Sequence, residues 1–223
     1  MKPFFMMKKI VTLLLFFITI TIVSQQKVLK ELTLTASDKL IEIETLGLDD
    51  VVIETSKNNT LQVLLIDENA IPLNVDVKKV NNTIQLSFKK IEGAFQKEIF
   101  RKYITKRLER ARVLLKIPIN KDLVVYGRTI GVKSKSYKGN LEVYIEKGNV
   151  YLGKIYNETS VKLFLGNVFA NVDKNVSLSL KTRKGKIMID DKEIAKKPYK
   201  KTTKGAKKLT FDSVNANIFI TTK

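Results

Sequence analysis

The sequence predicts an all-β chain, a right-handed β-solenoid of short rungs with one inserted amphipathic helix. The main observation is a repeated unit of an alternating strand, a glycine with a polar neighbour and a second alternating strand, found in Leu141–Leu152, Val161–Ala170 and Leu178–Ile189. The step from Asn149 to Asn167 is 18 residues and the step from Asn167 to Lys186 is 19, a period typical of stacked repeats. Because a meander of hairpins also accommodates such strands, an antiparallel β-sandwich is the alternative fold.

The chain begins with the features of a secretory signal peptide. Lys2, Lys8 and Lys9 precede an uninterrupted run of apolar and threonine residues over 10–23, and Ser24 is a small residue at its end. This order predicts a leader over residues 1–24. The run of 14 residues is shorter than the roughly 20 that a membrane-spanning helix needs, so an uncleaved anchor is the lesser alternative. Residues 25–223 are then a single exported domain that is periplasmic, associated with the cell surface or secreted.

Period-two alternation continues through the first third of the exported domain and predicts strands there. The candidates are Leu32–Leu34, Leu40–Ile43, Val51–Glu54, Leu61–Ile66, Val75–Val77 and Ile84–Phe88. Turn-forming Gly, Asp, Asn and Ser residues separate these runs. Further strands are predicted over 113–117, 123–126 and 132–134.

Residues 94–110 form the one segment with a helical period. Apolar side chains recur there every four residues, at Phe95, Ile99, Tyr103 and at Phe100, Ile104, Leu108. Basic side chains lie mostly on the other face, at Lys97, Arg101, Lys102, Lys106, Arg107 and Arg110. This pattern predicts an amphipathic helix, which either packs its apolar face on the sheet or lies on an anionic lipid surface.

Alternation within the repeats places one set of aliphatic side chains on the inner face. The predicted inward residues are Val143, Ile145, Val150, Leu152, Leu163, Leu165, Val168, Ala170, Leu178, Leu180, Ile187 and Ile189. Gly148, Gly166 and Gly185 fit sharp corners where a positive φ is needed. A weaker fourth copy over 209–220 follows the third after a longer step, and we expect it to form the next rung.

Stacking of the repeats also predicts an outward apolar ladder that consists of Tyr151, Phe169, Met188 and Phe219. Tyr144 and Phe164 would form a second, shorter ladder. Exposed apolar rows of this regularity need a partner. Three partners are compatible with the sequence: the 94–110 helix, a second copy of the protein, or sugar rings stacked on Tyr151 and Phe169.

Positive charge is concentrated in two short segments of the chain. Without the three leader lysines, 38 basic residues face 22 acidic ones, a net charge of +16, which favours anionic polymers or surfaces as partners. Seven basic residues lie within 97–112 and eight within 192–208. The second segment is predicted to be a mobile basic loop, with candidate anion contacts at Lys196, Lys197, Lys200, Lys201 and Lys204. Ordinary solvation of the surface is the competing explanation.

Several of these features resemble the bacterial "putative adhesin" β-solenoid domains, which include the autotransporter-adhesin-head group. They are the leader, the strand Val51–Thr55, the element Leu114–Leu123 and the Gly-Asn-Val corners at 148–150 and 166–168. The similarity covers most of residues 28–223, and the chain departs from it by its insertions at 94–110 and 192–208. The resemblance implies an extracytoplasmic, non-enzymatic role. That family has no assigned catalytic residues, so none is transferred to this chain.

The chain contains no cysteine and no histidine, which excludes Ser-His-Asp and Cys-His catalysis and imidazole or thiolate metal sites. No phosphate-binding glycine motif is present, and we expect no cofactor and no specific nucleic-acid partner. Asp173, Asp190 and Asp212 could approach one another across rungs and form a glycan hydrolase or calcium site. Turn formation is the more common role of such aspartates.

The sequence therefore favours a binding or adhesion module over an enzyme. Its basic segments would contact anionic glycans, lipid head groups or other envelope polymers. The first alternative is a structural protein that self-associates through the solenoid ends or the outward ladder. The more remote alternative is a carboxylate-based glycan hydrolase.

Overall fold

The computed structural model describes residues 26–69, 71–91, 111–195, 198–204 and 207–223, and these residues form an all-β structure without a helix. The predicted leader over 1–24 and the predicted helix over 94–110 lie outside the described residues. So do six of the candidate anion contacts, which belong to that helix, together with Lys196 and Lys197.

In the described part of the chain, sixteen strands make up one sheet. They are β1 (Gln26–Thr33), β2 (Leu40–Glu44), β3 (Asp50–Thr55), β4 (Thr60–Asp67), β5 (Leu73–Val80), β6 (Thr83–Lys90), β7 (Ala111–Ile117), β8 (Asp122–Thr129), β9 (Gly131–Ser134), β10 (Leu141–Lys154), β11 (Thr159–Val172), β12 (Ser177–Thr182), β13 (Ile187–Ile189), β14 (Lys192–Glu193), β15 (Tyr199–Lys201) and β16 (Lys208–Thr222). Each strand candidate from the first third of the domain overlaps one of them.

Strands from successive repeats pair in parallel and in register. Leu123 of β8 lies beside Leu141 of β10, and Leu141 lies beside Thr159 of β11, so each step is 18 residues. The long strand β10 pairs with β8 through its first half and with β9 through its second half. Parallel pairing is incompatible with the antiparallel sandwich in this part of the chain.

The fourth copy of the repeat does not follow the third in space. Strand β16 pairs in parallel with β11 on one side and with both β12 and β13 on the other. It therefore lies between the second and third copies, and the expectation of a next rung is wrong. The reordering depends on the insertion after β13, because that segment lets the chain return past β12 and enter the sheet beside β11.

Part of the predicted basic loop over 192–208 is strand, which corrects the loop prediction for those residues. Strand β14 pairs antiparallel with β13, and β15 pairs antiparallel with β12. Asp190 and Asp191 form the two-residue turn between β13 and β14, with φ values of 48° and 61°. Positive φ at both positions is the geometry of a type I′ hairpin, in which aspartate is favoured. These two carboxylates therefore serve turn formation.

Among the described residues the sheet has four edge strands, and all of them pair antiparallel with their neighbours. Every one of them carries lysine, and the residues are Lys27 and Lys30 in β1, Lys78 and Lys79 in β5, Lys192 in β14, and Lys200 and Lys201 in β15. Lysine on an edge strand hinders edge-to-edge pairing with another sheet. This disfavours assembly of copies through the ends of the stack.

The inner face of the repeats is largely the predicted one. Ten of the 12 predicted inward residues are buried, and the two others are Leu165 and Ile189. Leu165 lies immediately before the corner glycine, beside Lys147 and Asn215, and is 40% exposed. The strand changes direction at this corner, so strict alternation assigns Leu165 to the wrong face.

Two corner glycines have the predicted positive φ, 151° at Gly148 and 142° at Gly166. A Cβ atom at Gly166 would lie 1.7 Å from the carbonyl oxygen of Gly148. Gly185 lacks the positive φ but is equally crowded, since its Cβ would lie 1.9 Å from the Ala216 carbonyl oxygen. Close stacking of successive corners, as well as backbone conformation, therefore requires glycine here.

Candidate functional site

The predicted outward apolar ladder is a single row on the outer face, in the order Tyr151, Phe169, Phe219, Met188. The rings of Tyr151 and Phe169 stack with centroids 4.9 Å apart and planes inclined by 5°. Phe169 and Phe219 stack at 4.9 Å and 8°. The order differs from the chain order because β16 lies between β11 and β13.

Ring stacking within the ladder limits what the ladder can bind. Both faces of Phe169 are covered by its neighbours, and one face of Tyr151 and one face of Phe219 are covered by Phe169. The next residues in the row are Lys133 beside Tyr151 and Met188 beside Phe219. A sugar ring stacks on an aromatic face, so Phe169 offers none, and the ladder leaves one face of Tyr151 and one face of Phe219 for such a contact.

The ladder is one part of a longer row that crosses the sheet, which we call the outer apolar row. Strand register continues it beyond Lys133 through Val52, Leu114, Leu64 and Leu29. Apart from Lys133, every member is apolar, and all are half-buried or exposed. No local sequence pattern predicts this extension, because strand pairing brings its residues together from distant parts of the chain.

The second predicted ladder is wrong in its membership. Tyr144 stacks with Tyr126, with centroids 5.5 Å apart, and the Lys162 ammonium lies 5.1 Å from the Tyr144 centroid. Phe164 is exposed and lies in a different row. Strand register pairs residues that lie the same number of positions before the corner glycine. Tyr144 and Lys162 each lie four positions before their corner glycine, whereas Phe164 lies two positions before it, so Lys162 is the residue beside Tyr144.

An asparagine ladder runs beside the corner glycines. Asn167 Nδ2 donates to Asn149 Oδ1 at 3.1 Å, and Asn217 Nδ2 donates to Asn167 Oδ1 at 3.1 Å. The backbone N–H of Lys186 then donates to Asn217 Oδ1 at 2.9 Å. This chain of hydrogen bonds fixes the register of four successive corners.

We expect Asn167→Ala to lower the free energy of unfolding by about 1–3 kcal/mol, because it leaves Asn149 Oδ1 and Asn217 Nδ2 without their ladder partners. Urea unfolding followed by circular dichroism measures the change. Asn171→Ala, an exposed position on the same strand, is the matched control. Equal losses in the two variants would contradict a stabilising role for the ladder.

The described members of the predicted anion-contact set lie at one end of the sheet. Lys200 is exposed on β15, Lys201 is half-buried on the same strand, and Lys204 is exposed in the following turn. Lys201 Nζ donates to the Lys174 carbonyl oxygen at 2.7 Å. Lys201 therefore stabilises the strand end, whereas Lys200 and Lys204 are exposed.

Asp38 is the most buried acidic side chain in the described part of the chain, at 2% exposure. Its Oδ1 lies 2.6 Å from Lys79 Nζ, and its Oδ2 accepts hydrogen bonds from the Thr35 N–H and hydroxyl at 2.8 and 2.7 Å. The Lys79 ammonium and then the Thr35 donors hold the pKa of Asp38 well below its ordinary value of 3.8. Lys121 Nζ donates to the carbonyl oxygens of Thr35 and Asp38 and completes the network.

This network predicts a loss of stability in acid. A lowered folded-state pKa means that Asp38 stabilises the fold fully above its ordinary pKa of 3.8 and progressively less as the pH falls below that value. We expect Asp38→Asn to have a lower urea midpoint than the wild type at pH 7, and the difference to shrink below pH 3.8. Asp191→Asn, in an exposed turn, is the control. A difference that does not change with pH would contradict this role.

The three aspartates of the hydrolase hypothesis take part in separate local contacts. Asp173 lies 3.6 Å from Lys154 Nζ, and Asp212 lies 3.6 Å from Lys181 Nζ. Asp190 accepts hydrogen bonds from the N–H and hydroxyl of Thr222 at 2.7 and 2.6 Å. Within the described ranges, no group of three potential ligand residues is arranged to hold a metal ion. These ranges also contain no helix long and apolar enough to cross a membrane.

Comparison with known proteins identifies a fold. No family model and no curated protein matches the sequence. The solved structure of a putative cell adhesion protein from Clostridium sporogenes aligns over 90% of this chain and 100% of its own, with a TM-score of 0.65 and 11% identity. Putative adhesins from Bacteroides fragilis and Parabacteroides distasonis align over the same share of this chain and 98% of their own, at 12% and 11% identity, with TM-scores of 0.36 and 0.23. The chain shares the fold of the Clostridium sporogenes protein.

Proposed function

We propose that the chain is an exported, non-enzymatic binding module of the adhesion type, built as a right-handed β-solenoid. The solenoid is supported by in-register parallel pairing at steps of 18 residues. Export is supported by the leader-like sequence over 1–24. The likeness to a structure named as a putative cell adhesion protein supports the adhesion role.

The observation that carries the choice of ligand is the uneven distribution of charge along the stack. Described residues from 173 onward hold 12 Lys and Arg against five Asp and Glu, whereas described residues before 173 hold 18 against 14. Strands β12 to β15 occupy one end of the sheet, so this end carries the larger share of the excess charge. A positive end attracts anionic polymers through long-range electrostatics.

Binding to an acidic polysaccharide and to anionic vesicles, each at low and high salt, tests this function. We expect binding that weakens as salt rises, because the attraction between exposed charges is screened. Neutral polysaccharide and neutral vesicles are the ligand controls. Absence of binding at low salt, or binding that is indifferent to salt, would contradict the proposal.

Charge location can be tested with a pair of double variants. Lys200→Gln with Lys204→Gln removes two exposed charges from the basic end, and Lys57→Gln with Lys147→Gln removes two exposed charges elsewhere. We expect the first variant to bind the acidic ligand several-fold more weakly than the second. Equal weakening would indicate that net charge alone governs binding.

The outer apolar row supports a second candidate, self-association of the module through this face. Its most exposed members are Leu29 at 57% and Tyr151 at 45%. A Leu29→Lys, Tyr151→Lys variant should then be monomeric where the wild type is dimeric, measured by light scattering after size exclusion. Leu46→Lys, at an exposed position outside the row, is the control. A monomeric wild type at high concentration would exclude this candidate.

A further inference from the structure

Three lysine ammonium groups surround the ring of Tyr156, at a position that the sequence did not single out. Nζ of Lys138, Lys154 and Lys207 lies 5.6, 5.6 and 5.3 Å from the ring centroid. Tyr156 is half-buried in the connection between β10 and β11, and the three lysines are exposed. We call this group the Tyr156 lysine cluster.

Parallel stacking assembles the cluster from separate parts of the chain. Lys138 precedes β10, Lys154 ends β10, and Lys207 precedes β16. The backbone at Lys138 is held by two hydrogen bonds, since its N–H donates to Thr55 Oγ1 and its carbonyl oxygen accepts from Asn157 Nδ2. The carbonyl oxygen of Lys207 accepts from the Ser177 N–H at 2.8 Å. The N–H of Lys154 donates to Ser136 Oγ at 3.2 Å, so backbone contacts fix the position from which each lysine side chain starts.

The charges of the cluster are only partly compensated. Because each ammonium lies within 5.6 Å of one point, no two of them are more than about 11 Å apart, a separation comparable to the Debye length of about 10 Å at 0.1 M ionic strength. The electron-rich ring attracts all three, and Asp173 lies 3.6 Å from Lys154. Among the described residues, Asp173 is the one carboxylate within ion-pair distance of these three ammonium groups, so the cluster has an excess of positive charge.

We propose that the Tyr156 lysine cluster binds a phosphate or sulfate ester group of an anionic polymer. An ester of this kind offers several oxygen acceptors, so it can receive charge-assisted hydrogen bonds from more than one ammonium group. Tyr156 is a positioning residue that holds the ammonium groups around one point. This inference rests on the proposed function and deepens it, because it names the recognised group and the place where it binds.

The test compares two triple variants of the full exported chain. Lys138→Gln, Lys154→Gln and Lys207→Gln remove the cluster, and Lys39→Gln, Lys57→Gln and Lys147→Gln remove the same charge from exposed positions outside the cluster and outside the basic end. The probes are a sulfated polysaccharide, inorganic polyphosphate and a carboxylated polysaccharide. We expect the cluster variant to bind the preferred ester polymer about tenfold more weakly than the scattered variant. Comparison of the sulfated and phosphorylated probes identifies the source of the ester.

Tyr156→Phe and Tyr156→Leu separate ring organisation from charge. Phenylalanine keeps the aromatic face and leucine removes it, while every lysine remains. We expect the phenylalanine variant to bind like the wild type and the leucine variant to bind several-fold more weakly. Circular dichroism and the urea midpoint show whether each variant is folded. Equal binding by a folded leucine variant would overturn the positioning role.

Titration with inorganic pyrophosphate distinguishes failure of the site from failure of the proposed function. The readout is the NMR signal of the Tyr156 ring, assigned with Tyr156→Phe. Shifts that disappear in the cluster variant, without any polymer binding by the wild type, would support the site and contradict polymer recognition. Polymer binding that is equal in the two triple variants would overturn the site and leave the function standing. If the wild type shows neither the pyrophosphate shifts nor polymer binding, both the site and the proposed function are contradicted.

Discussion

Gly166→Ala is expected to lower the free energy of unfolding by about 3 kcal/mol or more. Gly166 has a φ of 142°, which alanine adopts only under strain. The added Cβ would also lie 1.7 Å from the Gly148 carbonyl oxygen, so two successive corners must separate to admit it. Urea unfolding followed by circular dichroism measures the loss.

Gly153→Ala provides the matched control in the same strand pair. Its Cβ would lie 3.1 Å from the nearest atom, the Ser134 carbonyl oxygen, a tight contact that a small shift relieves. We expect a loss less than half of that for Gly166→Ala. Similar losses would show that corner stacking does not set the glycine requirement.

Phe211→Ala is expected to cost about 3–5 kcal/mol, the range for truncating a buried aromatic side chain. Phe211 is 1% exposed and lies in β16 between Val161 of β11 and Leu180 of β12. Truncation would leave a cavity on the inner face of the sheet, between side chains of β11 and β12, which both pair with β16. The same unfolding experiment measures the effect.

Phe219→Ala is the control for this second variant, because Phe219 is half-buried on the outer face of the same strand. It should lose less than about 2 kcal/mol, since its outer edge is already in water. An equal or larger loss for Phe219→Ala would indicate that the aromatic ladder, and not the inner face of β16, supplies most of the stability of this region.

Local sequence patterns predicted those features of the fold that depend on neighbouring residues. Alternation identified the strands and the inward residues Val143 and Val168, because side-chain direction in a strand depends only on position along it. Gly148 and Gly166 were predicted as corners because a glycine with a polar neighbour recurs at the same place in each copy of the repeat. Leu165 was assigned to the wrong face because alternation does not include the change of direction at the corner.

Features that depend on which strands become neighbours could not be predicted in this way. Met188 and Phe219 were placed in the right row but in the wrong order, because no local signal shows that β16 enters between β11 and β13. Lys138 and Lys207 are 69 positions apart in the chain, and only the stacking of turns brings both to Tyr156. The Tyr156 lysine cluster is therefore assembled by strand register, and no local sequence motif predicts it.

The position of β16 has a consequence for how the chain acquires its structure. Strand β16 follows both β11 and β12 in the chain yet fills the gap between them, and its pairs with β11 join residues 50 positions apart. Until β16 is available, the facing edges of β11 and β12 lack their native partner. Pairing over such separations is slow because the intervening loop must close first. The region between β11 and β12 is therefore completed only when β16 has paired with both strands, and we expect it to form late in folding.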